Sequence, residues 1–238
     1  MKEPLLLVPG IDGTGKLFYR QIPALETRFH VTATRHRDDA ESMDELIADL
    51  DREVRRAAGD RRVTLLGESF GGALALSYAL AHPQRIERLV ILNSFARVGS
   101  QARLWLGYHL LRAAPWGMMR MVRRLNARRM HSPTTDRSEI RRFHELMRTT
   151  TREGYLSRLR ILRTYDVRDR LPALVAPVLY LAADRDTLVP SVEQARLMSE
   201  RTPAGTMRVL EGHGHSCLIA PDISLAAMLD EWIGNAHP

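Results

Sequence analysis

A chain of 238 residues, 45% hydrophobic and 26% charged, has the composition of a soluble globular protein with one good core, and it excludes a fibrous or membrane-embedded class. The net charge of +7 is unevenly spread: residues 97–170 carry 18 Arg, no Lys and 6 Asp or Glu, a local +12 that leaves the remainder at −5. The single cysteine, Cys217, excludes an internal disulfide framework and points to a reducing compartment, the cytoplasm by default.

The first apolar run, residues 5–8, reads as a buried strand, because an unbroken apolar run suits a parallel strand covered on both faces. That run is too short and wrongly flanked for a signal peptide, and no other approaches the length of a membrane span. A Gly-rich loop follows, Pro9-Gly10-Ile11-Asp12-Gly13-Thr14-Gly15, then a helix over 16–25 and a strand over 29–33. Ser42-Met43-Asp44-Glu45 has the form of a capping box and opens an amphipathic helix reaching about residue 58. Residues 63–66 read as a third strand, 73–81 as a helix that stops near Pro83, and 88–92 as a fourth strand. Residues 101–165 hold no convincing strand; they read as helices rich in Trp, Met, Leu and Arg, interrupted near Pro115 and Pro133. Alternation then resumes, with a strand over 178–182, a helix over 191–200, a strand over 207–210 and a last helix over 222–233. This order predicts an α/β fold, a mostly parallel doubly wound sheet built from residues 1–96 and 171–238. Residues 97–170 form a helical insertion expected over the C-terminal edge of the sheet, where such sheets bind ligands.

The densest signal is Leu65-Leu66-Gly67-Glu68-Ser69-Phe70-Gly71-Gly72, a G-x-S-x-G pattern set between a strand and a helix. A strand that turns sharply into a helix strains the serine backbone and crowds its neighbours. Gly67 and Gly71 relieve that crowding, and Gly72 lets the helix pack closely on the sheet. The Ser69 hydroxyl then stands clear at the end of the strand, and the free N–H groups of the new helix, that of Phe70 included, face it. The bland alternative is a Gly-rich turn whose serine helps to cap the helix.

In this context the pattern resembles the nucleophile elbow of the α/β-hydrolase superfamily. The resemblance covers residues 4–95 and 176–235, where G-I-D-G-T-G and G-E-S-F-G-G are similar to a bacterial and plant set of esterase or acyltransferase-like hydrolases; it does not extend to the insertion. It implies the chain order Ser, acid, His. The family's D-x-x-V-P-like turn matches Asp186-Thr187-Leu188-Val189-Pro190, making Asp186 the acid, with Asp184 as rival. Its G-x-G-H loop matches Gly212, Gly214 and His215, making His215 the base, with His213 as rival. The oxyanion donors implied are the N–H groups of Phe70 and Ile11, the latter in a Pro9-Gly10 loop where relatives usually have His-Gly. Because the chain begins almost at the strand that is usually third, the resemblance also implies about six strands without the customary N-terminal hairpin. A phosphate-binding reading of Gly13-Thr14-Gly15-Lys16 fails, because Leu17 stands where Ser or Thr is required. No metal and no organic cofactor is implied.

Trp105, Leu106, Tyr108, Leu110, Leu111, Trp116, Met118, Met119 and Met121 form an apolar cluster interleaved with arginines. Amphipathic helices packing on the body account for part of it. The functional expectation is a lid lining an acyl pocket, with Trp105, Tyr108, Trp116 and Met119 touching substrate. The +12 segment suggests attraction to an anionic substrate, carrier or membrane surface, against the alternative of solvated helix faces. A nucleic-acid binder is disfavoured, since no binding motif is present and acidic residues lie among the arginines. A serine hydrolase acting on a carboxylic ester or thioester is the leading expectation, with an acyltransferase using the same triad as the alternative and other chemistries of the fold open.

Overall fold

The computed structural model describes residues 2–118, 121 and 130–235. Six strands, β1 (Glu3–Val8), β2 (Phe29–Ala33), β3 (Val63–Glu68), β4 (Ile86–Leu92), β5 (Val178–Ala183) and β6 (Gly205–Leu210), form one sheet in the order β2-β1-β3-β4-β5-β6. Every pairing is parallel, with Leu7 beside Leu66, Gly67 beside Ile91 and Ile91 beside Tyr180.

The period-two alternation of strand side chains divides the core between the two faces. Leu6, Val8, Leu65, Leu89, Ile91 and Tyr180 face α2 (Met43–Ala58), α3 (Phe70–Ala81) and the helix Ser191–Arg201. Leu5, Leu7, Leu66, Val90, Leu92 and Leu179 face the other way, onto Phe18, Leu25 and the C-terminal helix Leu225–Asn235. Each such leucine, fully withdrawn from water, contributes on the order of 1.5–3 kcal/mol. The strands β3 and β5 are therefore buried along their whole length and β1 from Pro4 onward, while the edge strand β6 alternates with exposed residues such as Arg208.

The helix expected over 16–25 divides into a 3₁₀ turn, Lys16–Arg20, and α1 (Ile22–Leu25). Pro23 explains the break, because it lacks the N–H that a helix running through from residue 16 would use and its ring would meet the carbonyl of residue 19. The helix expected from 73 begins at Phe70, so Gly71 and Gly72 belong to its first turn.

Between β4 and β5 the chain leaves the sheet at its C-terminal edge. An antiparallel bridge between Arg97 and Asp166, reinforced by the Val167 N–H donating to the Ala96 carbonyl at 2.9 Å, brings the ends of this excursion together. Within it lie α4 (Gln101–Ala113), α5 (Arg137–Met147) and α6 (Arg152–Ile161). No helix among the described residues is long and apolar enough to cross a membrane.

Candidate active site

Ser69 sits between β3 and α3 with φ 54° and ψ −118°, a left-handed conformation that costs a non-glycine residue of order 1–3 kcal/mol. The surroundings hold it there. Its N–H donates to Leu92 O at 2.9 Å, and its carbonyl accepts from the Gly72 N–H at 3.0 Å and the Ser94 hydroxyl at 2.7 Å. The result aims the hydroxyl at the open C-terminal end of the sheet.

His215 meets it there. Its Nε2 stands 3.1 Å from Ser69 Oγ, and its Nδ1 stands 2.6 Å from Asp186 Oδ2. A proton on Nδ1, donated to the carboxylate, leaves Nε2 free to accept the serine proton. Asp186 is fixed in turn by the Leu188 and Val189 N–H groups, donating to Oδ1 at 2.9 and 3.0 Å, and by the Ser191 hydroxyl on Oδ2. Burial alone would push the Asp186 carboxyl up, but these donors and the imidazole outweigh it and hold the carboxyl below its ordinary value. For His215, burial works against the charged form, yet the hydrogen bond and charge of Asp186 win and its pKa is raised.

The two rivals serve other ends. Asp184 accepts the Gly212 N–H at 2.7 Å and so shapes the histidine loop at its left-handed glycine, φ 78°. His213 is buried, with Nδ1 2.7 Å from Ser132 Oγ. A residue outside every motif also supports this loop. Asn93, another left-handed residue with φ 47°, donates through Nδ2 to the His215 carbonyl at 2.9 Å and accepts the Ala183 N–H at 2.8 Å. Asn tolerates that backbone conformation better than most residues, which is the signal its sequence position offered. Cys217 lies fully buried beside Asn93, and burial pushes its thiol up to about 12, in keeping with an inert packing role.

Glu68, the variable residue inside the elbow pattern, is an acidic group that sequence reading passed over. It is buried, accepts the Gly10 N–H, and brings Oε1 within 3.7 Å of His215 Nε2. Burial, aided by the nearby charges of Asp12 and Asp186, pushes its pKa up to about 7. Two oxygen-bearing side chains, Ser69 and Glu68, therefore face Nε2 of the imidazole, while Asp186 holds its Nδ1.

Ile11 and Phe70 share with Ser69 and His215 a cavity of about 280 Å³. Its apolar walls come from Phe95, Val98, Leu104, Leu159, Leu162 and Val189, with Tyr155 beside them. The structure does not bring Trp105 or Tyr108 to this cavity. Trp105 is half exposed and lines a separate, polar groove of about 740 Å³ with Arg160, Thr164 and Glu41, and that groove touches no member of the Ser-His-Asp set. Tyr108 is buried with its hydroxyl bonded by Arg160 and Arg112. Trp116 packs its ring 5.7 Å from that of Tyr155, so it reaches the cavity only through that neighbour. Met119 lies outside the described residues. Leu106, Leu110, Met118 and Met121 are exposed, so these members of the expected lining face solvent instead. Helical spacing showed that an apolar stripe exists but not which way it turns.

Several arginines of the insertion have internal partners: Arg97 and Arg168 share Asp166, Arg152 donates to the Arg112 carbonyl, and Arg142 lies 3.9 Å above the Tyr19 ring. Among the described residues no group of three or more His, Cys, Asp or Glu is arranged to hold a metal ion.

Comparison with known proteins agrees with this architecture. A family model described as the alpha/beta hydrolase fold matches residues 3–220. A Caulobacter sp. protein named carbamate hydrolase RutD is 26% identical over 248 residues, covering 99% of this chain and 92% of that one. Phytyl ester synthase 1 of Arabidopsis thaliana is 26% identical over 254 residues, 94% of this chain but 36% of that larger protein. An esterase from Thermogutta terrifontis superposes with a TM-score of 0.86 at 20% identity, over the whole of this chain and 92% of the other.

Proposed function

The chain belongs to the alpha/beta hydrolase fold family, and we propose that it cleaves a carboxylic ester or thioester with an apolar acyl chain, through an acyl-enzyme on Ser69. The observation that carries this reading is the continuous hydrogen-bonded line from Asp186 through His215 to Ser69 Oγ, ending at an apolar cavity. Ser69 Oγ attacks the acyl carbon while His215 Nε2 takes its proton, and Asp186 steadies the imidazolium. The Ile11 and Phe70 N–H groups receive the oxyanion, a contribution of about 3 kcal/mol for each donor. His215 returns the proton to the departing alcohol or thiol as its bond to the acyl carbon breaks. Water, deprotonated by the same nitrogen, then attacks the acyl-enzyme and releases the acid.

The acyl chain lies against Leu104, Leu159 and Leu162 in this reading, apolar walls, and the charged side chain of Arg97 in the lining is paired with Asp166. The carbamate in one relative's name and the ester synthesis in another's involve the same carbonyl chemistry, with a different leaving group or acceptor. Replacing water by an alcohol at the second step turns the hydrolase into an acyltransferase, which product analysis with an added acceptor alcohol detects.

A fluorophosphonate probe tests the proposal directly. It is expected to label the wild type and not Ser69→Ala, whose kcat on a chromogenic ester falls on the order of 10⁵-fold. A panel of acyl lengths then reads the cavity, with kcat/KM rising from acetyl to longer apolar chains. Labelling that survives in Ser69→Ala sinks the nucleophile, and a clear preference for acetyl over octanoyl sinks the apolar chain.

A further inference from the structure

Arg158 lies on α6, in the insertion, yet none of its side chain is exposed. A guanidinium taken out of water is costly unless its donors are used. Here they converge on the loop that follows β1. Nε donates to the Ile11 carbonyl at 2.8 Å and Nη2 to the Asp12 carbonyl at 3.4 Å, while Nη1 donates to the Arg37 carbonyl at 3.4 Å and stands 3.5 Å from Asp38 Oδ1. Gly13, at φ 70°, lies so close that a Cβ there would sit 2.7 Å from Arg158 Cζ. The rest of the loop is pinned from the body: His36 Nε2 stands 2.8 Å from the Pro9 carbonyl, and Asp12 Oδ2 accepts the Thr14 N–H at 2.9 Å.

We propose that Arg158 is a positioning residue for the oxyanion site, holding Ile11 so that its N–H faces the substrate carbonyl beside Ser69; this rests on the Ser69 acyl-enzyme reading above. The physical reason is short. The Ile11 N–H shares its rigid peptide plane with the Gly10 carbonyl, which accepts the Gly13 N–H at 3.0 Å. Arg158 braces the turn between them through the Ile11 and Asp12 carbonyls, so the N–H keeps its aim. Only arginine spans both carbonyls at once, because its donors are fixed in a planar fork. The insertion thus contributes to catalysis through the backbone of the sheet domain, and α6 is a fixed wall of the site rather than a swinging lid.

The test uses Arg158→Met and Arg158→Lys in the whole protein, measuring thermal midpoint, kcat and KM on one chromogenic ester, and inhibition by an alkylboronic acid. A boronate bound to Ser69 places an oxygen where the oxyanion forms, so its Ki reports the donor without turnover. For folded Arg158→Met, kcat is expected to fall about 10²-fold, with KM within about threefold of wild type and Ki rising in parallel. Arg158→Lys, which reaches one carbonyl at a time, is expected to lose about tenfold. A kcat within about threefold of wild type in either folded variant overturns the proposal, and so does a fall in kcat with an unchanged boronate Ki. Should the wild type itself neither hydrolyse esters nor be labelled at Ser69, the parent reading has failed instead, and that result is separate from any behaviour of the variants.

Discussion

The elbow and the insertion are built by opposite means. Around Ser69 nearly every constraint is backbone against backbone: a Cβ on Gly67 would lie 2.3 Å from Gly71 O, and one on Gly71 would lie 2.1 Å from Val8 O and 2.4 Å from Pro9 O. In the insertion, Gly99, Gly107 and Gly117 are open, with nothing within 4 Å of where a Cβ would stand, and Gly154 is closed by side chains alone, those of Asp38 and Arg158. Its essential contacts are made by side chains across long stretches of chain, as Arg158 to Ile11 shows over 147 residues. The chemistry is therefore written in prohibitions, which leave a short local signature. The insertion is written in pairings, which leave none.

The largest effect expected from this contrast is at Gly71. Alanine there pushes a methyl group into two carbonyl oxygens at the end of β1, neither of which can withdraw without moving the strand and the oxyanion loop with it. Gly71→Ala is expected to cost about 4 kcal/mol or more, the range reserved for overpacked or strained sites, and to be recovered mostly as insoluble protein. Urea unfolding of whatever fraction is soluble checks it. An unchanged midpoint would mean that the elbow is looser than its contacts imply and that the contrast is wrong from its strong side.

The same distinction explains how much of the fold and of the site is legible in the sequence. The strand Phe29–Ala33 and the helix Met43–Ala58, with Ser42 accepting the Glu45 N–H, follow from apolar period and cap chemistry alone. The apolar pattern ends at 66 where β3 ends at 68, and starts at 207 where β6 starts at 205, because Gly67, Glu68, Gly205 and Thr206 carry no apolar signal although they pair in the sheet. Ser69 is legible because Gly67 and Gly71 bracket it between a strand and a helix, and Asp186 and His215 because their loops resemble the family's D-x-x-V-P and G-x-G-H patterns. Leu159, Leu162 and Tyr155 are not, because a helix rich in arginine shows its buried face only once its partner surface is known. Glu68 was in plain view inside the pattern, but the pattern treats its position as free.

Glu68 gives the intermediate test, since it couples the elbow's strict backbone to a buried side chain packed against Gly10. Its carboxylate helps to keep the His215 imidazolium protonated, so Glu68→Gln is expected to move the acid limb of kcat/KM toward lower pH. The stability effect follows from burial. The folded pKa of about 7 lies above the ordinary 4.5, so protonated Glu68 stabilises the native state below pH 4.5, and that contribution is lost as pH rises through 7. The wild type should weaken between pH 5 and 8 by up to about 3 kcal/mol relative to Glu68→Gln. Parallel denaturation curves for the two proteins across that range, together with an acid limb that stays in place, would remove Glu68 from the site's electrostatics.

The smallest effect is expected from the open side of the comparison. Gly107 is at the middle of α4, where a glycine exposes backbone and surrenders more freedom on folding than alanine does, and where a Cβ finds empty space. Gly107→Ala should stabilise the protein by about 0.5–1 kcal/mol, raising the thermal midpoint by roughly 1–4 °C with kcat and KM unchanged. The sign matters more than the size. At Gly71 one added methyl group is expected to break the fold, and at Gly107 the same group is expected to strengthen it, because one glycine answers to its neighbours' carbonyls and the other to nothing beyond its own helix. Loss of stability at 107, measured by the same denaturation, would show that another surface covers this face of α4 and that the insertion is packed as tightly as the elbow.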